Sequence, residues 1–401
     1  MTMSPEVPEV RAIEADVLPA RFARGWHCLG LADGFRDGAP HTVRAFGRKL
    51  VVWASADGRL NVLDAYCRHM GGDLSRGTVE GDDVACPFHA WRWGGDGRCT
   101  RIPYARRVPM RARTAAYPTL QQDGLLFVWN DPEGKPPPED VTIPRIEGAT
   151  SDEWTDWSWY SITIDGSNCR EIVDNVVDMA HFFYVHYSFP TRFKNIFEAH
   201  TATQYMEGVG REDVRRPQAE GSGAPQMLGQ TSLATYHGPS FMIDELTYHY
   251  ADGDVNSVLI NCHYPVDENS FVLQYGIIVR KAEHMAEHMA EHMAEHMGEG
   301  ADEVARKLGE FIKIGFEQDV EIWKNKARVD NPLLCEEDGP VYQLRRWYEQ
   351  FYVDAADVGA EMTDRFEFEI DTTRPNEAWR AEIAENLAKR DAAEAAESRP
   401  V

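Results

Sequence analysis

Short apolar runs alternate with Asp-Gly pairs through the first third of the chain. The runs at 49–53 (Lys-Leu-Val-Val-Trp) and 60–63 flank Asp57-Gly58. Those at 91–93 and around Arg101 flank Asp96-Gly97, and 125–129 (Leu-Leu-Phe-Val-Trp) follows Asp123-Gly124. Asp-Gly between strand-length runs signals a hairpin, because both residues tolerate the positive φ of a tight turn; residues 25–130 are expected to form a small antiparallel β domain. At Asp131 this pattern stops, and Asp-Pro-Glu-Gly-Lys-Pro-Pro-Pro predicts a stiff linker over 131–150. Beyond it the periodicity predicts strands over 154–164, 257–263 and 271–279, a helix over 170–186 and a long helix over 301–326. Helices set against a sheet make 151–375 an α+β domain. Residues 1–24 read as an acidic, proline-containing arm. The stretch 376–401, rich in Ala, Glu, Lys and Arg, reads as an exposed C-terminal helix with a frayed tail.

One repeat interrupts the second domain: Ala-Glu-His-Met, four times over, from Ala282 to Met297. At four-residue spacing His284, His288, His292 and His296 would wind slowly round a helix, either as a metal-binding tract or as a solvated insertion in a surface loop. The insertion is the simpler reading.

Composition narrows the function. A net charge of −25 argues against a nucleic-acid partner. No run of about eighteen apolar residues is present, so no transmembrane helix is expected, and the N-terminus lacks the apolar core of a secretory signal. Seven scattered cysteines suggest no disulfide framework; Cys28, Cys99, Cys169, Cys262 and Cys335 are expected as buried free thiols in a reducing cytoplasm. Against this acidic background Arg101, Arg106, Arg107, Arg111 and Arg113 form a basic stretch, either a solvated strand edge or a docking patch for an acidic redox partner.

The most specific chemistry lies in Cys67-Arg-His69 and Cys86-Pro-Phe-His89. Two thiolates and two imidazoles at this spacing are what a Rieske [2Fe–2S] centre requires, with the cysteines on one iron and the histidines on the other. A structural Cys2His2 zinc site would put both cysteines in one half and both histidines in the other, whereas each half here carries one of each. The extra cysteine pair that braces respiratory-type clusters is absent, which points to the kind found in oxygenases and their ferredoxins.

A second motif follows at Asn175-Val-Val-Asp178-Met-Ala-His181-Phe-Phe-Tyr-Val-His186. Two histidines five apart suit a 2-His-1-carboxylate iron site, which leaves coordination positions open for dioxygen and substrate. His181 and His186 lie about 140° apart on an ideal helix, so both reach one metal only if the helix ends or loosens between them. The carboxylate must come from elsewhere. In Phe316-Glu-Gln-Asp-Val-Glu-Ile-Trp323 the acids Glu317, Asp319 and Glu321 compete, and periodicity ranks Asp319 only slightly ahead.

These motifs together resemble the Rieske non-haem iron oxygenases. Cys-Arg-His-Met-Gly-Gly-Asp-Leu, Cys-Pro-Phe-His-Ala-Trp-Arg-Trp, Asp-Asn-Val-Val-Asp-Met-Ala-His-Phe-Phe-Tyr-Val-His and Phe-Glu-Gln-Asp-Val-Glu-Ile-Trp are most similar to the oxygenase components of 3-ketosteroid 9α-hydroxylases. The resemblance implies an N-terminal β Rieske domain followed by a helix-grip-like catalytic domain. It implies cluster ligands Cys67, His69, Cys86 and His89, and iron ligands His181, His186 and Asp319. Asp178 would carry electrons between the centres across a subunit boundary, in a head-to-tail homotrimer. Asn175, Met242, Asn261, Phe316 and Trp323 would surround an apolar steroid. A separate flavin/iron–sulfur reductase would pass on electrons from NADH. Asp244 departs from the pattern, standing where a neutral amide is usual, and a buried carboxylate needs a partner or a raised pKa. An aromatic-ring dioxygenase or an O-demethylase is the alternative within the superfamily. A ferredoxin with a non-catalytic extension is the competing class, and the second metal motif argues against it.

Overall fold

The computed structural model describes residues 10–15, 21–214, 227–250, 253–281 and 301–397; the Ala-Glu-His-Met repeat lies outside them. In the N-terminal domain Leu60–Asp64, Arg48–Ala54 and His41–Ala45 form an antiparallel sheet edged by Ala116–Tyr117. Gly25–Leu31, Leu125–Asn130 and Thr119–Gln122 form a second. The third, Thr78–Glu80, Asp83–Ala85, Arg92–Trp93 and Cys99–Arg101, carries the cysteine motifs on its connections. The Asp-Gly signals hold in detail: Asp123 and Gly124 take φ of 55° and 79°, joining Gln122 to Leu125 in the two-residue turn whose twist suits a hairpin.

The second domain is built on one antiparallel sheet of eight strands: β1 (Ser158–Asp165), β2 (Ser188–Glu198), β3 (Thr201–Gly210), β4 (Met227–His237), β5 (Phe241–Tyr250), β6 (Gly253–Asp267), β7 (Ser270–Val279) and β8 (Phe366–Glu369). Their order is β1-β7-β6-β5-β4-β3-β2-β8. Only β1, β6 and β7 had been expected. Both faces of β6 are buried: Val258, Ile260 and Cys262 pack against Trp26, Cys28 and Phe127 of the N-terminal domain, while Val255 and Leu259 face the other way. The proline-rich segment joins this contact through Ile143 and Ile146, so it is packed rather than a loose tether.

The expected helix over 170–186 is broken. α1 (Arg170–Val173) passes into a 3-10 turn at Asp174–Val177, and α2 (Ala180–Tyr184) restarts after Asp178. Asp178 is extended, at φ −90° and ψ 103°, and its Oδ1 accepts the His181 N–H at 3.2 Å, capping the new helix. The long α3 (Ala301–Asn325) lies across β7 and β1, with Ile312, Phe316, Val320 and Trp323 buried. α4 (Val341–Glu349) packs on the 3-10 turn.

Two expectations need correcting. The last helix, α5 (Thr373–Glu397), is not merely exposed: Trp379 stacks on Phe183 at 4.8 Å between centroids, in a cluster with Met179, Phe189 and Phe193. Cys335 is exposed, unlike the other six cysteines, because it lies on the surface loop before α4. The N-terminal arm is also tied down in part, since Ala12–Ile13 pairs in parallel with Arg328–Val329.

Candidate metal centres and substrate cavity

The two cysteine loops repeat one hydrogen-bond pattern. Cys67 N–H donates to Gly72 O at 2.8 Å and Gly71 N–H to Cys67 O at 2.9 Å; in the second loop Cys86 N–H donates to Trp91 O and Ala90 N–H to Cys86 O, both at 2.9 Å. Each loop has its fifth residue in the left-handed region, Gly71 at φ 76° and Ala90 at φ 55°. Glycine adopts this freely, while alanine there stores strain of about 1 kcal/mol. Both cysteines end up buried over Trp53, Leu74, Val84 and Trp93. The His69 and His89 rings meet at 4.7 Å, and Trp91 lies flat on His69 at 4.3 Å and 9°. His69 Nδ1 is buried with no hydrogen-bond partner among the described residues. A Cβ on Gly72 would stand 2.5 Å from Cys86 Sγ, so the cradle has no room for a side chain. Two thiols, two converging rings and an orphaned imidazole nitrogen fit a [2Fe–2S] cluster with mixed ligands.

In the second domain α2 carries His181 and then stops. Val185 N–H and His186 N–H both donate to His181 O, at 2.7 and 3.4 Å, a tightened end to α2 that leaves the His186 ring 5.1 Å from that of His181, and Tyr187 then turns left-handed at φ 53°. The structure also separates the three competing acids. Glu317 accepts from Tyr275 and pairs with Lys313, and Glu321 is exposed beside Lys324. Only Asp319 faces the histidines: ligand atoms of His181, His186 and Asp319 lie within 4.8 Å of one another, with His186 Nε2 3.1 Å from Asp319 Oδ2.

The surrounding groups orient this triad. His181 Nδ1–H donates to Asp178 O at 2.6 Å and His186 Nδ1–H to Gln318 Oε1 at 3.2 Å, turning both Nε2 atoms inward. Asn175 Nδ2–H donates to Asp319 Oδ1 and accepts from Trp323 Nε1–H, each at 3.3 Å. Asn175 therefore sets the carboxylate's orientation. Burial acts to lower the His181 pKa, but the hydrogen bond and charge of Asp178, aided by Asp319, leave it raised. Desolvation acts to raise Asp178, and its bonds and charge contact with His181 outweigh this and leave it lowered. Two imidazole nitrogens and a carboxylate oxygen converging on one point fit a divalent iron with open positions.

The triad opens on a cavity of about 470 Å³. Asn175, Met242, Asn261, Phe316 and Trp323, all expected near substrate, line it. Sequence reasoning missed Gln318 and the inward positions of β4, Gln230, Ser232 and Tyr236. The period-2 spacing of these three was the available signal. Tyr236 Oη and Asn261 Oδ1 are buried without hydrogen-bond partners among the described residues. Burial pushes the Asp244 carboxyl up to about 7, against the hydrogen bond its Oδ1 accepts from Ser232 Oγ at 2.7 Å.

Comparison with known proteins decides the family. The profile of the 3-ketosteroid 9α-hydroxylase C-terminal domain matches residues 128–352, and that of the Rieske [2Fe-2S] domain matches 25–118. The chain belongs to the 3-ketosteroid 9α-hydroxylase oxygenase family. A 3-ketosteroid-9-alpha-monooxygenase oxygenase component of Rhodococcus rhodochrous is 64% identical over 96% of this chain and 94% of its own length. One from Mycobacterium tuberculosis is 57% identical over 95% of each. The fold is shared more widely: apo dicamba monooxygenase superposes with a TM-score of 0.59 at 16% identity, over 84% of this chain and 100% of its own. As a member of the 3-ketosteroid 9α-hydroxylase oxygenase family, the protein is an iron-dependent Rieske monooxygenase. No helix among the described residues is long and apolar enough to cross a membrane.

Proposed function

We propose that the protein hydroxylates the 9α ring carbon of a 3-ketosteroid, as the oxygenase component of a two-component system whose separate reductase oxidises NADH. The observation that carries this reading is the cavity of about 470 Å³ opening on His181, His186 and Asp319, in a chain that shares nearly its whole length with steroid monooxygenases. Cys67, His69, Cys86 and His89 would hold the cluster, and His181, His186 and Asp319 the iron. Together these groups supply one-electron transfer and the reductive activation of dioxygen. The balance is one C–H, one O2, two electrons and two protons, giving C–OH and water.

The chain's own residues bind and orient. Met242, Phe316 and Trp323 offer apolar surface to a flat ring system, while the Tyr236 O–H and the Asn261 amide supply the few polar anchors its ketones need. Among the described residues, every side chain lining the cavity falls between Ile172 and Trp323, so no cluster ligand borders it. Asp178, half exposed beside His181, would then receive electrons from His69 or His89 of a neighbouring copy. Such a heterologous contact closes into a ring, here a trimer. Seven free cysteines suit a reducing cytoplasm.

The test is turnover. Iron- and cluster-loaded protein, supplied with a reductase and oxygen, is given a panel of 3-ketosteroids and aromatic acids, and products are identified by mass spectrometry. Hydroxylated steroid is expected; conversion of aromatic acids alone refutes the reading.

A further inference from the structure

The Rieske domain carries a charge segregation that the proposed reaction leaves unused. Between Gly97 and Gln122 the chain has six arginines and no acidic residue, although the whole protein carries −25. Arg98 pairs with Asp96. Arg101, Arg106, Arg107, Arg111 and Arg113 are all exposed, and none is in an ion pair among the described residues.

This segment is held firmly against the cluster loops. Ile102, Val108 and Ala112 pack with Cys67, Cys86 and Trp93. Cys99 N–H donates to Ala112 O and Ala112 N–H to Pro109 O, both at 2.9 Å, which fixes the turn that presents the arginines outward. Among them Tyr104 is 65% exposed and Met110 97%. Tyr104 also begins a short connection inward: its Oη accepts from Trp91 Nε1–H at 2.7 Å, and Trp91 stacks on the His69 ring at 4.3 Å. A bonded and stacked series of aromatic groups therefore runs from the centre of the basic patch to a cluster histidine. His89 has a different neighbour, Phe88, at 3.9 Å, and this leaves a separate side for onward delivery to Asp178 of the next copy.

We propose that the arginine segment 101–113 is the entry dock for the acidic, electron-delivering domain of the reductase, with Tyr104 and Trp91 coupling the incoming electron to His69. This rests on the oxygenase reading above. In the step, the donor's reduced one-electron centre is oxidised and the Rieske cluster is reduced by that electron; no bond is made or broken. Charge explains why the dock is here. The net charge of −25 repels an acidic redox protein overall, whereas this basic patch, without ion pairs among the described residues, attracts it, which steers and orients the encounter.

The test uses cluster-loaded protein and, as probe donor, a pre-reduced acidic plant-type [2Fe–2S] ferredoxin. Cluster reduction is followed by stopped-flow absorbance from about 25 to 400 mM salt, and binding of the oxidised ferredoxin by calorimetry. Arg106→Glu/Arg107→Glu/Arg111→Glu is expected to slow ferredoxin-driven reduction at low salt at least about tenfold, weaken binding by a similar factor and flatten the salt dependence. The triple Gln variant should fall between. Photoreduction by neutral deazariboflavin should stay within about twofold of the parent, since it needs no charged dock. Tyr104→Ala should slow ferredoxin-driven reduction while leaving binding intact. Unchanged ferredoxin kinetics in the charge-reversed protein would overturn the proposal. Loss of oligomeric state in that variant would also overturn it, assigning the patch to contact between copies. A single turnover of chemically pre-reduced parent with 3-ketosteroid bypasses the dock, so its failure would count against the steroid reading alone.

Discussion

Asp244→Asn isolates one buried charge in the substrate cavity. The Asp244 carboxyl lies among Met242, Leu246 and Leu259, with Ser232 Oγ as its hydrogen-bond donor. Burial raises its pKa from the usual 3.8 to about 7, outweighing the opposing hydrogen bond from Ser232, with smaller effects from Glu245 upward and His186 downward. A carboxyl with a raised folded-state pKa keeps a proton that the unfolded chain has already released, so folding stability falls as pH rises from 3.8 to 7. At 1.36 kcal/mol per unit the loss by pH 8 is about 4 kcal/mol, an order-of-magnitude figure. Asparagine keeps the oxygen that accepts from Ser232 and does not titrate. The variant should therefore match the parent near pH 4 and exceed it by about 4 kcal/mol at pH 8. For a chain of this length that is about 5 °C in Tm. The assay is calorimetric melting of iron-depleted protein from pH 5 to 8, so that no cation in the cavity alters the carboxyl. Parallel Tm–pH profiles for parent and variant would refute the argument and show Asp244 to be solvated or paired.

Three further outcomes are expected. Burial holds His27 and His263 down to about 4 and about 3, so the folded protein resists the protons its unfolded chain binds below 6.5. Stability should be full above pH 6.5 and lower by about 3 kcal/mol at pH 5.5, with the slope flattened in His27→Asn/His263→Phe; a level denaturation midpoint across that window contradicts this. Trp379→Ala removes the ring stacked on Phe183, between the two iron-site histidines, and should cost about 3–5 kcal/mol and weaken iron retention on dialysis. Normal iron content in a destabilised variant would confine the helix to a structural role. Gly72→Ala places a methyl against Cys86 Sγ and should reduce Rieske absorbance per chain severalfold while the far-ultraviolet spectrum is kept; full cluster occupancy would show that the cradle yields.

Of the five strands that escaped sequence reading, β3, β4 and β5 did so for a physical reason. Their inward positions hold Gln204, Gln230, Ser232 and Asp244, where a core strand would carry aliphatic residues, because they face a cavity rather than a core. Period-2 alternation survives there, but its apolar contrast is lost. β6 and β7 were legible because both faces are buried and the run is continuously apolar. The helix expected over 170–186 failed where Asp178 turned its side chain to cap the next helix, a local hydrogen bond that competes with helix continuation.

By itself the sequence determined the chemical repertoire: two cysteine–histidine loops at fixed spacing, a second histidine pair, and hairpins set by Asp-Gly turns. Those features are local, written in residues a few positions apart, and need no long-range contact to be read. Tertiary structure alone decided which of three neighbouring acids meets the histidines. Glu317, Asp319 and Glu321 are separated by about 200° steps round α3, and only the packing of Phe316, Val320 and Trp323 against the sheet fixes which one turns inward. It also decided that Asn175 holds that carboxylate and that Asp244 is buried in the cavity wall. Each depends on elements far apart in the chain meeting at one point, which no local pattern encodes.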